Sequence, residues 1–335
     1  MTRTSNCTLF VLALFIADGA TAAETAAPGY HVIKKIAIGG EGGWDYLTCD
    51  SAARRLYIAR SNRVMVVDID KETLVGEVAN TPGVHGVALV PKLGRGFVSN
   101  GGDSTVTVFD LKSLKELARI KVGKRPDAIL YDRASERVFT FNAGSSDATA
   151  IDVEKQAVAG TIALGGKPEF AATDELGQIY VNLEDKSEVL AIDAVKLTVV
   201  QRWPLAPGEE PAGLAIDRAH RRLFATCHNQ KMIVLDADKG NVVATLPIGK
   251  GTDACVFDYS AMLAFSSNGD GTLTVVREVF PSQFEVAENV PTEAGARTMA
   301  LDAKTHNLFL VTAKAKPGQR RSYEPGSFVI LVVGK

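Results

Sequence analysis

The chain sets out its apolar and polar positions in short, repeated phrases. Residues 96–110 read GFVSNGGDSTVTVFD and residues 138–152 read VFTFNAGSSDATAID. In both, an apolar run with an aromatic second residue closes on Asn, a Gly/Ser/Asp turn follows, and a second alternating run ends on Asp. Alternation with period two over four to eight residues predicts strands, and the small polar clusters between them predict tight turns. No segment of the repeated region carries a helical period.

The phrase returns with falling fidelity. Its quartet reads YIAR at Tyr57, FVSN at Phe97, FTFN at Phe139, YVNL at Tyr180, FATC at Phe224, AFSS at Ala264 and FLVT at Phe309, at intervals of 40, 42, 41, 44, 40 and 45 residues. Each copy has room for four short strands, and four-stranded repeats of this length are propeller blades. The pattern therefore predicts an all-β, seven-bladed β-propeller with four-stranded antiparallel blades. The last copy ends at Lys335 after three strands (TMALD, LFLVT, SFVILVV), while HVIKKIAIGG, residues 31–40, precedes the first copy. That N-terminal strand is expected to close blade seven and leave no open edge.

On these quartets, FVSN and FTFN above all, the chain resembles the YVTN-repeat β-propellers, the YncE-like exported proteins of bacteria. The likeness runs from about residue 31 to the C-terminus, with AFSS and FLVT carried by spacing more than by letters. It implies a seven-bladed exported propeller and supplies no catalytic residues.

Composition narrows the partners. The 37 basic and 39 acidic residues nearly cancel, which gives no electrostatic case for nucleic acid. Arg3, the apolar run Cys7 to Ala17 and the small residues Ala20-Thr21-Ala22 read as a signal peptide over 1–22, followed by a linker over 23–30 and the propeller over 31–335. The apolar run is shorter than the about 20 residues that span a bilayer, so a periplasmic or secreted monomer without membrane insertion is expected. Of the remaining cysteines, Cys49, Cys227 and Cys255, at least one has no partner in the chain. They read as small buried hydrophobes, with a Cys227–Cys255 bridge as the alternative.

The chain has no nucleophile elbow, P-loop, zincin helix or haem-attachment motif. Candidate chemistry comes from topology instead. Counting five residues back from the Asp that ends most inner strands gives one position per blade at the channel mouth: Asp45, Gly86, Asp127, Glu169, Ala212, Asp253 and Arg297. Trp44, His85, Asn100, Asn142 and Asn182 stand beside it. Any one Asp or Asn could be turn chemistry alone, but four acids converging on a channel are not required for blade packing. Arg297 between Asp253 and Asp45 is expected to form a structural ion cluster. Asp127 and Glu169, on adjacent blades with no cation at the ring position, form the expected ligand-binding side with His85, and these three are the candidate ligands for a divalent metal, the one cofactor considered. The basic segment Ala313 to Ser327 is expected to form a mobile flap over the mouth. The leading functional reading is an exported binding or scaffold protein with a small molecule, metal or envelope protein at the mouth. The alternatives are a lactonase-like hydrolase or lyase using His85 and the carboxylates, and an accessory to an envelope redox enzyme.

Overall fold

The computed structural model describes residues 1–2, 28–280, 282–318 and 322–335. The expected signal peptide and most of the expected linker lie outside the described residues. The described chain forms seven four-stranded antiparallel sheets, each made of strands consecutive in sequence except the last. Blade one begins with the inner strand Leu47–Asp50, and the inner strands of blades two to seven are Val84–Val90, Pro126–Asp132, Pro168–Thr173, Pro211–Asp217, Thr252–Asp258 and Met299–Asp302.

The middle strands of each blade are buried almost end to end, as in RVFTFN of blade three, whereas the outer strand AVAGTIA of the same blade is mostly exposed. A strand sandwiched between sheets must be apolar on both faces, which explains the weak alternation of the quartets. Each core accordingly bridges two blades. Phe139 and Phe141 of blade three pack on Ile179, Val181 and Leu183 of blade four, and Leu56 and Ile58 of blade one pack on Phe309 and Ile330 of blade seven.

The ring closes as the sequence predicts. His31–Ala37 pairs antiparallel with Val329–Gly334, with Ile36 opposite Ile330. Just before it, the backbone N–H groups of Gly29 and Tyr30 donate to Glu288 Oε2 at 3.0 and 3.1 Å, and the Tyr30 ring meets Phe265 edge-on at 5.2 Å. The N-terminal strand is thus held to blade six as well as to blade seven.

The repeated Asp at the end of the third strands is turn chemistry. Asp68, Asp110, Asp152, Asp193 and Asp236 each accept hydrogen bonds from the backbone N–H groups two and three residues ahead. Cys49, Cys227 and Cys255 are free thiols, and Cys227 and Cys255 lie in different interblade cores, so the bridge alternative is not realised.

Candidate functional site

In blades two to six the pairing of inner and second strand breaks register near the mouth: between Val84 and Val87, Pro126 and Ile129, Pro168 and Ala171, Pro211 and Leu214, and Thr252 and Ala254. His85, Asp127, Glu169, Ala212 and Asp253 all fall inside these bulges. A bulge releases one or two residues from the ladder and re-aims their side chains, so the residue after Val84, Pro126, Pro168, Pro211 or Thr252 is the one placed at the channel mouth.

Asp45, His85, Asp127, Glu169, Asp253 and Arg297 come together there, with Tyr46, Arg125 and His228, around a cavity of about 400 Å³. Its floor is aromatic. The position after the ring residue is Tyr46 in blade one and Phe170 in blade four, against Gly86, Ala128, Gly213, Ala254 and Thr298 elsewhere; in blade two the ring residue is His85 and not the expected Gly86. The two rings meet across the axis at 4.8 Å and 67°. Tyr46 lines the cavity, and Phe170 backs it from the far side of that ring contact.

The walls divide into three pairings. Arg297 Nε donates to Asp253 Oδ2 at 2.6 Å. His85 Nδ1 bonds Asp45 Oδ2 at 2.6 Å and lies 3.3 Å from Asp127 Oδ1. Lys167 Nζ lies 3.2 Å from Glu169 Oε2 and also pairs with Glu184. The expected cluster of Arg297 with both Asp253 and Asp45 is corrected in one member, because His85 reaches Asp45 first and makes its hydrogen bond. Glu169 was expected to lack a cation, and Lys167 supplies one. Two residues upstream of Glu169 at the start of blade four, Lys167 carries no motif, and only the fold brings it back over the mouth. Its ammonium is shared between Glu169 and Glu184, and Glu169 Oε2 is shielded from solvent.

Burial dominates the electrostatics. Desolvation lifts Asp127 to a pKa of about 7, with His85 opposing and Asp45 and Asp253 adding to the rise. Desolvation followed by the charge of Asp127 lifts Glu169 to about 8. Asp253 is raised less, to about 6, because Arg297 offsets its burial. For His85, desolvation pulls downward but is outweighed by the Asp45 hydrogen bond and the charges of Asp127, Asp45 and Glu169, which raise it to about 9. At neutral pH the mouth therefore holds an imidazolium beside two carboxyl groups that are partly protonated.

The asparagines are corrected. Asn100 and Asn142 are fully buried and tie neighbouring strands, donating to Thr105 and Thr107 and to Asp147 and Thr149. Asn182 donates to the Ala212 and Gly213 carbonyls of the next blade. Side chains along a strand alternate in direction: Asn100 and Asn142 point into their own blades, whereas Asn182, one residue before its strand's end, points at the next blade's backbone. Trp44 stands beside the mouth, but its ring is covered by Tyr323 at 4.6 Å and Phe328 at 5.7 Å. Tyr323 belongs to the segment expected as a flap. Its described residues form a bridged hairpin, with Lys316 N–H donating to the Ser322 carbonyl and Glu324 N–H to the Lys314 carbonyl; Arg320 and Arg321 lie outside the described residues.

No protein-family model matches the chain, and no curated protein matches it in sequence. Solved structures match it in shape. A chain of the mitotic checkpoint complex superposes with a TM-score of 0.75 over 98% of each chain at 14% identity. U3-55K superposes at 0.76 over 90% of this chain and 99% of its own, at 8% identity. A chain of hydrazine synthase from Kuenenia stuttgartiensis gives 0.52 over 72% of this chain and 97% of its own, at 17% identity. At such identities the likeness is one of fold.

Proposed function

We propose that the chain is an exported binding propeller of the YVTN-repeat type, whose mouth takes a small ligand that presents a positive charge to Asp127 and Glu169. The observation that carries this is Glu169 Oε2, shielded from solvent with only the shared Lys167 ammonium at 3.2 Å for a partner, lining with Asp127 a cavity of about 400 Å³. A cavity of that size suits a small molecule, and a buried acceptor short of donors is costly until something donates to it. A metal ion or an alkylammonium group would restore ionisation to both carboxyl groups, while Tyr46 and Phe170 would contact an apolar stem. Export is supported by the N-terminal pattern of Arg3, the apolar run and Ala20-Thr21-Ala22. Among the described residues no helix is long and apolar enough to cross a membrane.

A second reading, hydrolysis or lyase chemistry, is favoured by one fact: carboxyl groups that titrate near neutrality suit general acid and base roles. In that case Asp127 and Glu169 are the pair. His85, raised to about 9 and an imidazolium at pH 7, would serve as an acid or an electrostatic partner.

A thermal-shift panel of divalent metal salts, primary amines, amino sugars, neutral sugars and lactones separates these readings, because a ligand that binds only the native state stabilises it. Cationic members are expected to raise the melting temperature at pH 7–8. Stabilisation confined to neutral or anionic members would overturn the charge assignment, and turnover of a lactone would favour the second reading.

A further inference from the structure

On the face opposite the mouth, each blade ends its inner strand near the next blade, and at most of these seams a buried strand-end carboxylate receives a donor from its neighbour. Arg54 of blade one donates to Asp302 of blade seven at 2.7 Å. Arg221 of blade five donates to Asp174 of blade four at 3.0 Å. His306 of blade seven bonds Asp258 of blade six at 2.8 Å, and Thr173 of blade four donates to Asp132 of blade three at 2.6 Å. Arg54, Arg221 and His306 occupy one structural position, the left-handed residue just before the second strand.

At the seam between blades five and six that position is Met262, which has nothing to donate to Asp217. A second acid stands there instead. Blade six extends its third strand, Thr272–Phe280, to nine residues, and this extension delivers Glu278. The Glu278 side chain is 1% exposed and faces Asp217, which is 0% exposed. His220 is the one base between them: its Nδ1 lies 2.7 Å from Asp217 Oδ2 and 3.3 Å from Glu278 Oε1. An imidazole Nδ1 carries at most one proton, and the shorter contact claims it. Neither oxygen of Glu278 accepts a hydrogen bond.

Two carboxylates buried together with one shared imidazole are costly as anions: burial and Asp217 raise Glu278 to about 7, so it keeps a proton that a bound cation would displace. We propose that the seam between blades five and six binds a divalent transition-metal ion of the Zn²⁺ or Mn²⁺ type through Asp217, His220 and Glu278. One ligand atom from each lies within 4.8 Å of the others, and atoms placed about 2.1 Å from a common ion sit about 3–4 Å apart, so small side-chain movements close the site. One imidazole with two carboxylates is a donor set that such ions accept. His220 is partly exposed, which provides the entry path, and on binding its proton moves from Nδ1 to the outward Nε2. The ion would clamp two blades together where the seams at Asp302, Asp174, Asp258 and Asp132 use a side-chain donor.

The test uses protein whose mouth is blanked by Asp127→Asn with Glu169→Gln, stripped with chelator and titrated calorimetrically with ZnCl₂, then with MnCl₂ followed by electron paramagnetic resonance. One ion per chain is expected. Glu278→Gln in this background should weaken binding by more than about 100-fold, beyond the 10–100-fold typical of losing a supporting partner. Met262→Arg should do the same by supplying the donor found at the other seams, and should keep the melting temperature of the metal-free protein. Absence of binding in the mouth-blanked protein, or Glu278→Gln and Met262→Arg proteins that bind as it does, would overturn the proposal without touching the reading of the mouth.

Discussion

Asp127 and Glu169 carry the chemistry at the scale of single residues, and their effect on stability has a definite sign. Ordinary Asp and Glu titrate near 4, whereas these two hold their protons to about 7 and 8 in the folded chain. Below pH 4 both states are protonated and the pair has no effect. Between pH 4 and 8 the unfolded chain gives up these protons first, so folded stability falls as pH rises, and the loss is complete above the folded values. His85 acts in the same direction: raised to about 9 from its usual 6.5, it contributes stability below pH 6.5 that is lost by pH 9. Asp127→Asn with Glu169→Gln should therefore raise the melting temperature by several degrees at pH 8 and not at pH 5, at about 2–4 °C per kcal/mol. An equal shift at both pH values would mean that the carboxyl groups titrate normally. The ring positions of Asp127 and Glu169 were legible by counting back from the inner-strand Asp, because blades two to six share a bulge there; in blade two, which ends on Val90, the count gave Gly86 where the bulge places His85. Lys167 was not legible, since its approach to Glu169 depends on the path of a loop. Nor was Met262 as a missing donor, which stands out only when the seams are superposed.

Strands were the most readable elements. A middle strand buried on both faces is apolar along its length, and seven such runs at blade spacing admit few folds. The closing strand was readable because the last copy lacks one. His31–Ala37 covers the edge of Val329–Gly334 along its length, with one bulge between Val32 and Lys34, so deleting residues 30–40 should expose that edge and the contacts of Tyr30 together. The melting temperature is expected to fall by about 10 °C or more, or the protein to aggregate; an unchanged melting curve would show that blade seven needs no closing strand. Direction within an element was harder to read than its presence. The asparagines at or next to the ends of the second strands sit in the right place along the chain, yet they face the interior and satisfy buried threonines and carbonyls. The hairpin at 313–318 and 322–327 was placed beside the mouth correctly, but its seat on Trp44 depends on a Tyr323 contact that no pattern encodes.

For the whole molecule, the fold and the function separate cleanly. Structures of the same shape at 8–17% identity include a chain of a mitotic checkpoint complex, U3-55K and a chain of hydrazine synthase, so the architecture names neither a role nor a ligand. What distinguishes this propeller is a mouth floored by Tyr46 and Phe170 and walled by carboxyl groups that burial keeps from ionising, two of which have no firm internal donor. Their occupant should be a cation. Hydrogen bonds to charged groups contribute about 1.5–3 kcal/mol each, so a ligand that uses both acceptors depends on them for two or more orders of magnitude in affinity. The most direct test is isothermal titration of the best cationic ligand from the thermal-shift panel against wild type and against Asp127→Asn with Glu169→Gln. The expected result is binding to wild type with proton release and at least about 100-fold weaker binding to a fully folded double variant; wild-type affinity in that variant would contradict the assignment of the mouth.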